Sequence, residues 1–205
     1  MYEFNDCFYT YIAIVMTVFV TDPNCPFEIG GPARSLPNIE VATTANLLIG
    51  QPFPCDGIIK SYSYYRIVPD IVAFVGVFRR VNDDEVKIVS VSELKDSIPG
   101  EHVVLLSPEV RVQAGDFLGI FYQQGEVAGV IPNDVGPSTS DREDLFQNYV
   151  VRAYFSDFAP GIDTGATFSL SRLGYSVNRA KFALQADMEY PTTAGEPMSP
   201  VTIIS

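Results

Sequence analysis

Tryptophan is missing from the 205 residues, histidine occurs once, as His102, and cysteine three times, as Cys7, Cys25 and Cys55. A zinc centre of His and Cys would need nearly all of these residues at ligand spacing, and they show none. A Ser–His or Cys–His nucleophile pair would depend on His102 alone. Basic residues are scarce too: 13 Lys and Arg against 25 Asp and Glu leave a net charge of −12. Nucleic-acid binding needs a phosphate-neutralising face, and a polybasic membrane-surface protein needs a run of cations, so neither class fits. No Asn-x-Ser/Thr sequon occurs. What is present is ordinary for a folded domain: 47% apolar residues exclude wholesale disorder.

The longest apolar run, Cys7 to Val20 (CFYTYIAIVMTVFV), has fourteen residues. A helix needs about 20 to cross a hydrocarbon core, so insertion of the domain into a membrane is not expected. The length suits the apolar region of a secretory signal, although Glu3 and Asp6 precede it without a cation. Tyr9, Thr10, Tyr11, Ile12, Ile14, Val15 and Val18 equally suit a β-strand. Residues 1–20 are therefore read as a signal peptide or an N-terminal strand, with a membrane anchor as the remaining alternative. Removing a signal through Val20 leaves an even pair, Cys25 and Cys55. A bridge between them would close a loop of about 30 residues, worth roughly 3–4 kcal/mol in the chain-entropy model. Two buried free thiols are the alternative.

Residues 21–44 form a Pro/Gly-rich leader, with Pro23, Pro26, Gly30, Gly31, Pro32 and Pro37. From 45 to 190, short strand-like runs alternate with turn clusters. Ile71 to Val81 (IVAFVGVFRRV) is the most apolar and ends at Asn82-Asp83-Asp84-Glu85. Phe182, Leu184, Ala186, Met188 and Tyr190 alternate with mostly polar residues, a period of two. No segment sustains helical periodicity over a dozen residues; Ser140 to Val150 comes nearest. Roughly eight to ten strands at 8–12-residue spacing predict an all-β fold, an antiparallel two-sheet β-sandwich of jelly-roll type. Residues 191–205 read as a linker or the start of a further segment.

Five motifs in order carry a resemblance. They are Cys55-Asp56-Gly57-Ile58-Ile59, Tyr62-Ser63-Tyr64-Tyr65, Val75-Gly76-Val77-Phe78-Arg79, the run Val110 to Ile120 (VRVQAGDFLGI), and Phe182-Ala183-Leu184-Gln185-Ala186. The series resembles β-sandwich modules of large secreted and cell-surface invertebrate proteins, which read C-x-G-x-I, V-W-R and V-x-x-G-D-x-I-G. That resemblance implies an extracellular setting in matrix, adhesion or recognition. Tyr62 and Phe78 stand where those modules commonly carry Trp. The Gly115-Asp116 strand entry is also similar to that of C1q- and TNF-type jelly rolls, which would imply trimers.

Several residues are candidates for a site. Tyr62, Tyr64 and Tyr65 lie so close on one strand that they cannot share a face; one belongs to the core, and another is free to stack on a sugar or a partner. Arg79 and Arg80 face opposite ways, so Arg79 is a candidate ligand contact or one half of an ion pair. Asp83, Asp84 and Glu85, like Asp141, Glu143 and Asp144, offer hard oxygen donors of the kind Ca²⁺ takes, without the spaced EF-hand pattern. Asp116 is expected to hold backbone N–H groups of its turn, with Gly115 supplying a positive φ. His102 is expected at a strand position outside catalysis.

These readings favour a secreted structural or adhesive module, not an enzyme, whose partners are other extracellular proteins or copies of itself. Exposed strand edges would pair by β-augmentation, with the N-terminal apolar strand as a donor. The alternative is a lectin-like carbohydrate-binding domain that uses tyrosines and calcium. A hydrolase with paired carboxylates is a third class, but no spacing here identifies such a pair.

Overall fold

Side-chain alternation sorts strands such as Gly100–Val112 and Leu184–Glu189 into a buried and an outer face, and the burial pattern follows it. The computed structural model describes residues 25–37, 45–122, 130–134, 149–153, 164–170 and 175–190. In chain order the strands are β1 (Glu28–Gly30), β2 (Ala45–Pro52), β3 (Gly57–Arg66), β4 (Ala73–Arg80), β5 (Glu85–Leu94), β6 (Gly100–Val112) and β7 (Phe117–Tyr122). They continue with β8 (Asn133–Asp134), β9 (Tyr149–Ala153), β10 (Thr167–Ser169), β11 (Tyr175–Arg179), β12 (Lys181–Phe182) and β13 (Leu184–Glu189). A four-stranded sheet runs β1-β13-β3-β6 and a seven-stranded sheet runs β10-β5-β4-β7-β2-β9-β11, with β12 and β8 as a small separate pair. Their pairings are antiparallel. The two main sheets pack face to face, the expected β-sandwich.

The main core fills the space between them. Ile59, Tyr62, Tyr64, Leu184 and Ala186 come from the small sheet, and Ala73, Val75, Val77, Leu118 and Ile120 from the large one, each almost fully buried. Ile59 and Tyr62 reach the same core although three residues apart. The register of β3 slips at Lys60 against both β6 and β13, a bulge that resets the alternation.

A second apolar layer lies on the other face of the large sheet, with Leu47, Phe78, Phe117, Phe121 and Leu170 buried. Strands β4 and β7 therefore carry apolar residues on both faces, which is why Ile71 to Val81 is the most apolar stretch of the body. The Phe78 ring lies over the backbone of the neighbouring strand. A Cβ at Gly119 would sit 2.5 Å from that ring and one at Gly76 2.9 Å, so both positions need glycine.

The sandwich starts earlier than the sequence suggests. Residues Glu28–Gly30, within the predicted leader, pair with β13 as the edge of the small sheet. The Cys25–Cys55 disulfide forms, with Cα atoms 5.7 Å apart, and ties this edge to the β2–β3 connection. The helical candidate Ser140 to Val150 is corrected at its end, where Tyr149 and Val150 open β9; the rest of it lies outside the described residues. So do residues 1–20, the 191–205 tail, and Asp141, Glu143 and Asp144. No helix among the described residues is long and apolar enough to cross a membrane.

Candidate interaction surface

Tyr62 and Tyr64 point into the core with 0% exposure, which removes both as stacking platforms. Burial pushes both phenols well above the usual tyrosine range, and a bond to Asp96 adds to the effect at Tyr64. The Tyr64 hydroxyl donates to Asp96 Oδ2 at 2.9 Å. The Tyr62 hydroxyl lies near Ser90 Oγ without reaching hydrogen-bond geometry, and neither atom has a partner among the described residues. Tyr65, half-buried, packs against the margin of the core.

Arg79 meets Asp116. Its Nε donates to Oδ1 at 2.7 Å and its Nη2 to Oδ2 at 2.8 Å, while the Gln113 amide donates to the same Oδ2 at 2.8 Å. The Asp116 carboxylate is buried, and this hydrogen bonding raises the Arg79 pKa further. Gly115, at φ +92°, makes the turn that aims Asp116 inward. Arg79 is thus a fixed structural partner and not a free ligand contact.

Asp83, Asp84 and Glu85 sit in the β4–β5 hairpin. Asn82 Oδ1 accepts the amides of Asp84 and Glu85, and its side-chain amide donates to Glu85 Oε2 at 3.1 Å. Ser169 Oγ donates to Asp84 Oδ2 at 2.5 Å, which ties β10 to this turn. Among the described residues no three His, Cys, Asp or Glu side chains converge as metal ligands do. His102 stacks on Tyr64 with ring centroids 5.4 Å apart, and its Nε2 lies 2.6 Å from the Ile98 carbonyl oxygen. That bracket closes the turn into β6.

The feature sequence reasoning missed is that β6 forms the long edge of the small sheet. It has 13 residues and, among the described residues, a hydrogen-bonded neighbour on one side only, β3. Alternation points Val104, Leu106 and Val110 toward the core and Val103 and Leu105 outward, where they are 63% and 80% exposed. The signal was there as a run of four apolar residues, Val103 to Leu106, with no polar alternate. Pro108 lies within the strand and has no amide to offer a neighbour. Leu105 stands opposite Ser61 and Val110 opposite Ile59, so residues between them bulge out of register.

Strand β5 also runs partly unaccompanied. Strand β10 pairs with Glu85 to Lys87, and Gly165 and Ala166 bond the Ile88 backbone. Beyond that no described strand flanks it on this side. The sandwich is open here as a cleft of about 610 Å³, walled by Val89 and Val91 on one side and Val104, Leu106 and Val110 on the other. The outer face of the small sheet beside β6 is polar and internally bonded. Ser61 and Ser63 donate to Asp187, Gln185 donates to it at 3.1 Å, and Lys60 pairs with Glu109 and Glu189. The bond to Glu109 is the main cause that raises the Lys60 pKa.

Comparison with protein-family models, with curated proteins and with solved structures yields no match to this chain.

Proposed function

We propose that the chain is an extracellular structural or adhesive module that works through protein–protein contact, including contact between its own copies. The observation that carries this reading is the long β6 edge, without a second neighbouring strand among the described residues and with two outward apolar side chains. Such edges template pairing with another chain unless they are shortened, charged or covered; the stretch from His102 to Leu106 carries no carboxylate, lysine or arginine, and no strand among the described residues covers it. The Cys25–Cys55 disulfide fits an oxidising compartment, and secretion is the simplest route to one. The sites found are structural: an ion-paired Arg79, a capped acidic turn and a bracketing His102.

The lectin reading loses support because two of its three tyrosines are buried. Light scattering on the secreted full-length chain, beside a glycan array with and without EDTA, tests the proposal. Multimeric mass or capture of a matrix protein, with a silent array, is the expected result. A single-chain mass with EDTA-sensitive glycan binding would overturn it.

A further inference from the structure

The four-stranded sheet ends on one side at β1, three residues long, and on the other at β6, thirteen residues long. The seven-stranded sheet ends at β10, with three residues, and β11, with five. Among the described residues, β6 is therefore the terminal strand long enough to hold another strand by backbone bonds alone. Five large apolar side chains are exposed among those residues, and Val103 and Leu105 are the two that share one strand and one face.

We infer that β6 is a self-association site, at which two copies pair their β6 strands antiparallel about a two-fold axis beside Val104. The two small sheets would join into one of eight strands. This rests on the self-contact reading and names its surface.

The sequence of the edge is complementary to itself in that register. Val104 lies opposite Val104 of the second copy, and Val103 opposite the second copy's Leu105, so the Val103–Leu105 pair forms twice, once on each side of the axis. His102 falls opposite Leu106, and Glu101 opposite Ser107. Directly opposed apolar pairs stabilise a ladder, whereas opposed like charges destabilise it. The run Gly100 to Ser107 carries one carboxylate, Glu101, at its start. Antiparallel pairing places the two Glu101 residues at opposite ends, while parallel pairing would stack them. The next carboxylate, Glu109, is already ion-paired with Lys60. A two-fold contact uses the same patch on both copies and closes on itself, so the product is a dimer and not a fibre.

An N-terminal strand from the same chain is a poorer occupant. The chain enters the sheet at β1, on the opposite edge, and is held there by the Cys25–Cys55 disulfide.

The test uses the full secreted chain. Sedimentation velocity over a dilution series is expected to show a monomer–dimer equilibrium, and hydrogen exchange to show protection of residues 101–106 that is lost on dilution. V103K and L105K alter exposed positions, so their thermal melts should stay near wild type while the dimer is lost. A wild-type chain that stays monomeric throughout overturns both this inference and the self-contact reading, leaving contact with other proteins. A dimer that survives both lysine variants overturns the β6 assignment alone. Concentration-dependent protection of residues 7–20 together with 89–94 does the same, since it marks strand donation into the β5–β6 cleft.

Discussion

Arg79 and Asp116, 37 residues apart in sequence, meet as a two-bond fork, Nε to Oδ1 at 2.7 Å and Nη2 to Oδ2 at 2.8 Å. The carboxylate is 1% exposed and the arginine side chain 36%, so the pair sits at the wall of the fold. The Asp116 backbone adds a third tie, its carbonyl accepting the Phe53 amide at 2.7 Å. The fork thus locks β4, the β6–β7 turn and the β2–β3 connection together.

Asp116→Asn is expected to lower stability by about 2 kcal/mol, because it breaks a charge-assisted fork and leaves Arg79 facing a neutral amide. Arg79→Lys should cost less, about 1 kcal/mol, since solvent reaches that side of the pair and a lysine keeps one bond. Urea unfolding of both variants checks the order, and equal losses would count against a bidentate fork.

Gly119→Ala should destabilise by about 1–3 kcal/mol, since the added methyl would meet the Phe78 ring in a packed layer. Adding Phe78→Leu to Gly119→Ala should recover part of the loss, a non-additivity that thermal melts of the single and double variants would show.

Tyr62 and Tyr64 should answer oppositely to removal of their hydroxyls. Tyr62→Phe deletes a buried hydroxyl with no partner and should leave stability unchanged or raise it by up to ~1 kcal/mol. Tyr64→Phe loses the bond to Asp96 and should cost about 1 kcal/mol. The buried phenols also set an alkaline limit. Burial raises the Tyr122 pKa from 10.0 to about 12, so the unfolded chain ionises first as pH climbs. Stability is then level below pH 10 and falls between 10 and 12, by about 1.4 kcal/mol per pH unit for each such tyrosine. Circular dichroism and phenolate absorbance should change together in that window; phenolate appearing in a still-folded chain would contradict it.

Cys25→Ser with Cys55→Ser opens a loop of sequence separation 30, and the chain-entropy relation puts the loss at about 3.6 kcal/mol. Urea midpoints for the oxidised, reduced and double-serine forms test it, the last two being expected to coincide.

The architecture was legible in the residues because a strand with one buried face writes its period into the sequence. The 182–190 alternation predicts β13, and the Gly115-Asp116 pair predicts the turn before β7 with its positive φ. The sequence left Cys25 and Cys55 as either a bridge or two free thiols, and the fold brings them together as a bridge. Other features could not be read this way. Which tyrosines are inside depended on the bulge at Lys60, a slip of register that only pairing with β6 and β13 reveals. Strand β1 has three residues, too few for any periodicity to declare it. Arg79 had many carboxylates to choose among, and no local pattern told that Asn82 and Ser169 would bond the acidic turn.

The residues themselves determined that the chain would form two pleated layers, because alternation is local and burying one face is the way such strands leave water. Tertiary structure alone decided which edge is left unpaired, since an edge exists by virtue of what does not lie next to it. Neighbours are set by contacts far apart in sequence, and no local pattern in Val103 to Leu106 could say that β3 would bond one side of β6 and no strand among the described residues the other.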